Sequence, residues 1–303
     1  MGRRRKRNPG NVHGVFCIDK PSGPSSAWLA RRIGRELGTS RAGHAGTLDP
    51  FATGILVVLL GEATKLSRWI TAHDKEYIAT LQFGSETDTL DREGEIVATS
   101  AVPPGALTRE TVQSECRSFV GVHDQVAPVY SAVRVDGKRL MNEARAGRDV
   151  TPPVRRVECF ALDVLDFDQS TCQATIKLHC AKGYYVRAFA RDLGRKLGVG
   201  AHLVELRRTR SGPFSLDFAR TPENVAPGDS VSLNEVLEEI PMVQLDAQAV
   251  EHIKHGRRIA ASENAEFALL TDRDDRPLAM AALTPDGQWR VERGLNWTRS
   301  ATS

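Results

Sequence analysis

The sequence predicts an α+β protein with one large mixed domain followed by a small β-rich one. Helix-period and strand-period segments are interleaved over residues 14–210, which requires both element types in one unit. Within that span, two strand-type runs at 154–167 and 173–180 read as an antiparallel pair. The charge balance then changes: residues 221–303 hold 8 Lys/Arg against 14 Asp/Glu, leaving 33 against 24 in residues 1–220. At 303 residues, one large domain with a small second one is the natural division.

The elements follow in order. Residues 1–12 begin with five consecutive cations, Arg3 to Arg7, which repel one another and bury nothing, so this arm is expected to be disordered. Val15, Phe16 and Ile18 make a strand that ends at Lys20-Pro21. Ser25 or Ser26 caps a helix in which Leu29, Ile33 and Leu37 recur every fourth residue, with Gly38 placed to end it. A polar glycine-rich loop over 41–53 precedes the apolar run 55–60, which suits a buried strand. A helix is expected over 63–70. The strand over 75–83 puts Tyr77, Ala79, Leu81 and Phe83 on one face by alternation. Residues 84–105 read as loop, 108–119 as helix, 184–197 as a helix closed by Gly198, and 204–208 as strand. Ser232 and Glu235 form a capping box for a short helix that Pro241 stops. Strand-type runs at 266–271, 278–283 and 288–293 follow, the last two joined by the turn pair Asp286-Gly287. The division expected is 13–242 and 243–299.

Composition excludes several classes. No apolar run nears the roughly 20 residues of a membrane span, and the stretch after the basic start is too short for an export signal, so a cytoplasmic protein is expected. Five cysteines without a C-x-x-C pair argue against a disulfide framework or a cysteine zinc site. A basic body suggests a polyanionic partner.

Three segments carry chemistry. The run from Gly43 to Gly54 contains three glycines, His44, and Asp49 before Pro50. It puts a carboxylate beside a histidine on a rigid loop, and by itself fits a structural turn as readily as a catalytic one. The second segment is Lys182 to Arg187, leading into a helix on which Arg187, Arg191 and Arg195 recur at every fourth residue. Arg191 and Arg195 fit a solvated face as well as a phosphate-binding stripe. Arg187 sits in the first turn against the helix dipole and so asks for a carboxylate or a phosphate. The third segment, 128–153, carries Tyr130, Arg134, Lys138, Arg139, Arg145 and Arg148, and reads either as a phosphate-gripping arm or as a solvated hairpin. Tyr77 taken alone is a core residue of its strand.

Together these segments resemble the TruB-type family of tRNA pseudouridine synthases, which modify position 55 in the TΨC arm. The resemblance runs in one order from Gly14 to about Ser215, through GVFCIDKPSGPSS, RAGHAGTLDPFATGILVVLLGEATK, KEYIATLQFGSETDTLDREG, PVYSA, KGYYVRAFARDLG and GAHLVELRR. It implies the pseudouridine synthase fold, a central mixed and mainly antiparallel sheet flanked by helices. Asp49 matches the catalytic aspartate, Arg187 its partner arginine, and Tyr77 the tyrosine lying against the uracil. His44 matches a histidine that helps open the RNA loop, Leu206 a pocket-lining apolar residue, and Lys20 a lysine of the first motif. Residues 124–153 match an RNA-clamping arm, and with it Tyr130, Arg134, Lys138 and Arg139 join Arg191 as expected RNA contacts. The resemblance also implies a tRNA substrate, no cofactor or metal, and a monomer. The piece from Leu245 to Trp297 is PUA-like, though acidic, and the nearest branch is actinobacterial. A non-catalytic RNA binder would not need Asp49, Tyr77 and Arg187 together. A nucleoside hydrolase would want a second acid, and none stands near Asp49 in sequence.

Overall fold

The computed structural model describes residues 12–131, 133–135 and 137–297. The basic arm predicted at 1–12 therefore lies outside the described residues except for Val12, as do residues 298–299 and the side chains of Arg134 and Arg139.

In chain order the first elements are β1 (Gly14–Lys20), α1 (Ser26–Glu36), β2 (Ala42–Ala45), β3 (Thr53–Leu60), α2 (Ser67–Thr71) and β4 (Lys75–Phe83). They are followed by β5 (Ser85–Thr87), β6 (Ile96–Thr99), α3 (Arg109–Arg117), β7 (Gly121–Val126), β8 (Arg134–Val135), β9 (Lys138–Arg139) and α4 (Leu140–Arg145). Then come β10 (Val154–Asp168), β11 (Gln173–Cys180), α5 (Val186–Lys196), β12 (Ala201–Ser211), β13 (Phe214–Ser215) and α6 (Leu233–Val236). The C-terminal elements are β14 (Met242–Gln244), α7 (Ala247–Lys254), β15 (Ile259–Ala260), β16 (Phe267–Thr271), β17 (Pro277–Leu283) and β18 (Gln288–Gly294).

Nine strands form the central sheet, in the order β1-β3-β12-β4-β11-β10-β7, with β2 added to β3 and β13 to β12. Only β3 and β12 run parallel; the other pairs are antiparallel, so the sheet is mixed and mainly antiparallel, as expected. The face bearing Tyr77, Ala79, Leu81 and Phe83 is buried in a core shared with Phe189 and Leu193 of α5 and Val112 of α3. Alternation in β4 and amphipathic spacing in α5 drive this packing. Leu29 and Ile33 of α1 cover Phe16, Ile18, Leu56 and Val58 of β1 and β3.

Several elements hid from the pattern, among them β5 and β6, which pair antiparallel inside the stretch 84–105 expected to be loop. β2 lies inside the predicted loop, because Ala-Gly-His-Ala carries no strand periodicity, yet it pairs with β3 from Ala42↔Leu60 to Ala45↔Val57. β12 is longer than predicted, since bulges between Leu203 and Glu205 and between Arg208 and Arg210 break its alternation. The register across the sheet aligns Gly54, Arg208, Tyr77 and Leu178 in one row.

The C-terminal strands form a five-stranded sheet, ordered β14-β16-β17-β18-β15. Leu269, Met280 and Leu295 share an apolar cluster with Ile55, Val57, Trp69 and Phe214 of the main body.

Candidate active site

Asp49 sits on the turn from β2 into β3, and almost every main-chain group around it is held. Ser26, the first residue of α1, donates to the Leu48 carbonyl at 2.8 Å and accepts from the Leu48 N–H at 2.9 Å. Ser25 takes the capping role, accepting from the Trp28 N–H. The Gly23 N–H reaches the Pro50 carbonyl at 2.8 Å. Lys20 is fully buried, and its Nζ donates to the carbonyls of Pro21 (2.9 Å), Pro50 (2.9 Å) and Ala52 (2.7 Å). An ammonium has three protons, so Lys20 has none left for RNA. The expectation of a substrate contact at Lys20 is corrected to that of a strut beneath the loop. Burial pulls its pKa down to about 8, with Asp49 and Glu93 acting in the opposite sense.

Arg187, at the start of α5, is the hub of the site. Its Nε lies 2.9 Å from Asp49 Oδ2 and its Nη2 3.0 Å from Asp49 Oδ1, a two-point pair. Nη2 also donates to the Tyr130 carbonyl at 3.0 Å and Nη1 to the Thr89 carbonyl at 2.9 Å, and Nη1 lies 3.3 Å from Asp91 Oδ2, an ion-pair distance. The guanidinium thus holds two carbonyls and one carboxylate oxygen by hydrogen bonds, with a second carboxylate at ion-pair distance. The anion demanded by a cation in a first helical turn is a pair of carboxylates.

Asp91 is the second acid that sequence order did not place near Asp49. It is 4% exposed; its Oδ1 accepts from Thr89 Oγ1 at 2.7 Å and from the Glu93 N–H at 3.0 Å. Its oxygens are therefore occupied and poorly disposed to activate water. Asp49 keeps 30% side-chain exposure. Burial raises its carboxyl pKa; the Arg187 guanidinium opposes this and the Asp91 charge adds to it.

Tyr77 of β4 is 8% exposed and belongs to the same core cluster as Leu48, Phe51 and Leu206, the last on β12 and 7% exposed. Burial raises the Tyr77 phenol, with the Arg208 guanidinium beside it working against that rise. His44 on β2 pairs with Val58. Burial first, then the charges of Arg208 and Arg31, lower its pKa, so the imidazole is neutral near pH 7. Its Nδ1 is buried with no hydrogen-bond partner among the described residues.

The arginine stripe on α5 is internally neutralised. Arg191, expected to meet RNA, is 8% exposed; it binds both Asp192 carboxylate oxygens, at 2.7 and 3.1 Å, and the Val126 carbonyl at 3.1 Å. Its place is therefore at the root of the 124–153 segment and not on phosphate. Arg195 pairs with Glu86 at 2.9 Å. Gln125, 1% exposed, clamps Tyr185 through both main-chain groups. Tyr130 takes part through its carbonyl. Arg134 and Arg139 lie on the paired strands β8 and β9, and Lys138 is exposed, 4.0 Å from Glu143.

Ser26, Asp91, Gln125 and Arg208 were not singled out as site residues. Asp91 and Arg208 lie within the diagnostic strings, but only tertiary placement brings them to Arg187 and Tyr77. Among the described residues, no group of three or more His, Cys, Asp or Glu could hold a metal ion.

The fold and site together define a class. The chain superposes on a chain of a Cbf5-Nop10-Gar1 complex with a TM-score of 0.69 at 21% identity, covering 96% of this chain and 90% of that one. It also superposes on a chain of an H/ACA RNP bound to a substrate RNA containing 2'-deoxyuridine, with a TM-score of 0.68 at 22% identity over 96% and 88% of the two chains. The fold is that of the pseudouridine synthases. The model of the TruB family pseudouridylate synthase N-terminal domain matches residues 34–186, and that of the tRNA pseudouridylate synthase B C-terminal domain matches 187–244. The tRNA pseudouridine synthase B of Syntrophotalea carbinolica is 42% identical over 252 residues, 81% of each chain. That of Corynebacterium jeikeium is 39% identical over 297 residues, 95% of this chain and 92% of its own. The chain belongs to the TruB family of pseudouridylate synthases and is an isomerase.

Proposed function

We propose that the chain isomerises the uridine at position 55 in the TΨC loop of tRNA, with Asp49 as nucleophile and without a cofactor. The observation that carries this reading is the two-point Asp49–Arg187 pair on a fully braced loop, in a chain of the TruB family. The reaction breaks a C–N glycosidic bond, turns the uracil and forms a C–C bond. Nothing is oxidised and no group enters, so the stoichiometry needs one carboxylate and a way to hold the base. Attack on the sugar, or assistance of a glycal route, needs the carboxylate ionised. Arg187 holds it so and aims it.

Tyr77 lies against the extruded uracil, Leu206 lines the pocket beside it, and neutral His44 helps open the RNA loop. Base extrusion costs roughly a few kcal/mol. The 124–153 arm, with Tyr130, Arg134, Lys138 and Arg139, offsets that by gripping phosphates, and loop shape supplies selectivity. Names of relatives support a tRNA substrate: those from Syntrophotalea and Corynebacterium are both called tRNA pseudouridine synthase B.

Residues 13–242 serve as the catalytic unit and 243–299 as a PUA-like addition. We read the enzyme as a cytoplasmic monomer; no helix among the described residues is long and apolar enough to cross a membrane. An actinobacterial placement is supported by the Corynebacterium match over 95% of the chain, while a Bordetella pertussis relative reaches 46% identity over 72% of it.

The test is tritium release from tRNA labelled at uracil C5. Wild type should release tritium and Asp49→Asn should not, with RNA binding retained. No release by wild type from an unmodified tRNA with an intact TΨC arm would refute the assignment.

A further inference from the structure

We propose that Arg208 is a positioning residue for this reaction, held by the Gly46 and Ile55 carbonyls so that it orients the Tyr77 phenol toward the base. Arg208 is 1% exposed, one of the largest fully buried side chains in the protein. Among the described residues no carboxylate lies within ion-pair distance of it. Its Nε donates to the Ile55 carbonyl at 2.6 Å and its Nη2 to the Gly46 carbonyl at 3.0 Å. The guanidinium therefore ties the turn between His44 and Asp49 to the start of β3. A buried cation without a counter-charge is costly, and an apolar side chain would fill the same row of the sheet at less expense. That an arginine stands there calls for a task that uses its charge or its donors.

The register supplies the task. Arg208 is directly opposite Tyr77 on β4, and opposite Gly54 on β3. The approach to β3 is so close that a Cβ at Gly54 would come within 2.2 Å of the Arg208 carbonyl oxygen, and Gly54 has a φ of +93°. The arginine is locked in place from one side and faces the phenol on the other. Two of its five donors are spent on carbonyls. The remaining donors are available to the oxygen of the phenol that the strand register places opposite. The same charge bears on Tyr77 and on His44, easing the phenol toward ionisation and keeping the imidazole neutral. Arg187 serves the carboxylate, and Arg208 serves the aromatic side of the site.

The inference rests on the reading that Tyr77 lies against the uracil, and a double-mutant cycle separates the two. Single-turnover rates are measured on a TΨC-arm RNA for wild type, Arg208→Gln, Tyr77→Phe and the double variant, with thermal unfolding and RNA affinity followed alongside. Arg208→Lys is included as the charge-retaining replacement. The expected result is a slower chemical step in Arg208→Gln with KM little changed, partial recovery in Arg208→Lys, and a loss at least about tenfold smaller in the Tyr77→Phe background. Equal losses in both backgrounds would show that Arg208 does not act through the phenol and would overturn the proposal. A Tyr77→Phe enzyme as fast as wild type would overturn it differently, by removing the role of Tyr77 on which it rests. Loss of the fold in both Arg208 variants would reassign the residue to the core, and that too would overturn it.

Discussion

Asp49 and Arg187 lie 138 residues apart in the chain and meet at two points, Nε 2.9 Å from Oδ2 and Nη2 donating to Oδ1 at 3.0 Å. The fork makes the pair geometric as well as electrostatic, which a lysine cannot reproduce. Arg187→Lys should therefore retain charge, lose orientation of the carboxylate, and release the Thr89 and Tyr130 carbonyls. The lost carbonyl hydrogen bonds leave buried acceptors unpaired, at a cost of about 1–3 kcal/mol each. The variant should show a lower denaturation midpoint together with a reduced single-turnover rate. A variant with unchanged stability and rate would remove Arg187 from the mechanism.

The second prediction concerns pH. Burial, with Asp91 adding its like charge, raises the Asp49 carboxyl above its ordinary value, while Arg187 opposes. A raised folded pKa contributes stability that is complete below the unfolded value and lost as pH rises through the folded one. Activity runs the other way, because the reaction needs the ionised form. The acid limb of the rate profile should therefore lie above the ordinary aspartate range. Asp91→Asn removes one of the raising charges, so its acid limb should move to lower pH; a shift upward, or none, contradicts this account.

Lys20 gives a third, independent test. Its pKa falls to about 8 on burial. The sign follows from linkage: a depressed folded pKa contributes stability that is present above the unfolded value and lost as pH falls through the folded one. Between pH 8 and the ordinary lysine value, wild type should gain stability relative to Lys20→Met as pH rises. Denaturant midpoints of both proteins across this window decide it, and parallel curves would show that Lys20 does not titrate there. Because the Pro50 and Ala52 carbonyls lose their donor, Lys20→Met should also be slower in the chemical step, with RNA affinity kept.

The sequence carried most of the central elements, since alternation in β4 and fourfold spacing in α1 and α5 are direct images of buried faces. It also carried Asp49 and Arg187, which the structure pairs, and Tyr77, which shares an apolar cluster with Leu48 beside Asp49. What it could not carry was the partition of cations. Arg191 and Arg208 look like RNA ligands in a list of charges, and each is buried on main-chain carbonyls instead. Periodicity reports which face is apolar, but not which arginine finds an acceptor 65 or 162 residues away. Asp91 was hidden for the same reason: it reaches Arg187 only after its loop folds back on β12, bridging to Leu203.

The last prediction concerns the joint between the central body and the C-terminal sheet. Glu62, 5% exposed just beyond β3, accepts from the Asn296 N–H at 2.8 Å, from Lys65 Nζ at 2.6 Å and from the Arg41 guanidinium. Lys65 also donates to the Gly294 carbonyl at 2.8 Å. Burial would raise the Glu62 carboxyl, but Lys65, the Asn296 amide and Arg41 outweigh it and hold the pKa below the usual value. A depressed carboxyl contributes stability present above its unfolded pKa and lost as pH falls through the folded one. Glu62→Gln keeps shape and removes charge, so it should lower the unfolding midpoint at neutral pH, and that difference should close as the solution is acidified toward pH 3. Hydrogen exchange at 293–297 should rise in the variant at neutral pH while the amides of β4 and β11 stay protected. Uniform loosening of both sheets would mean that Glu62 supports the whole core instead of the joint.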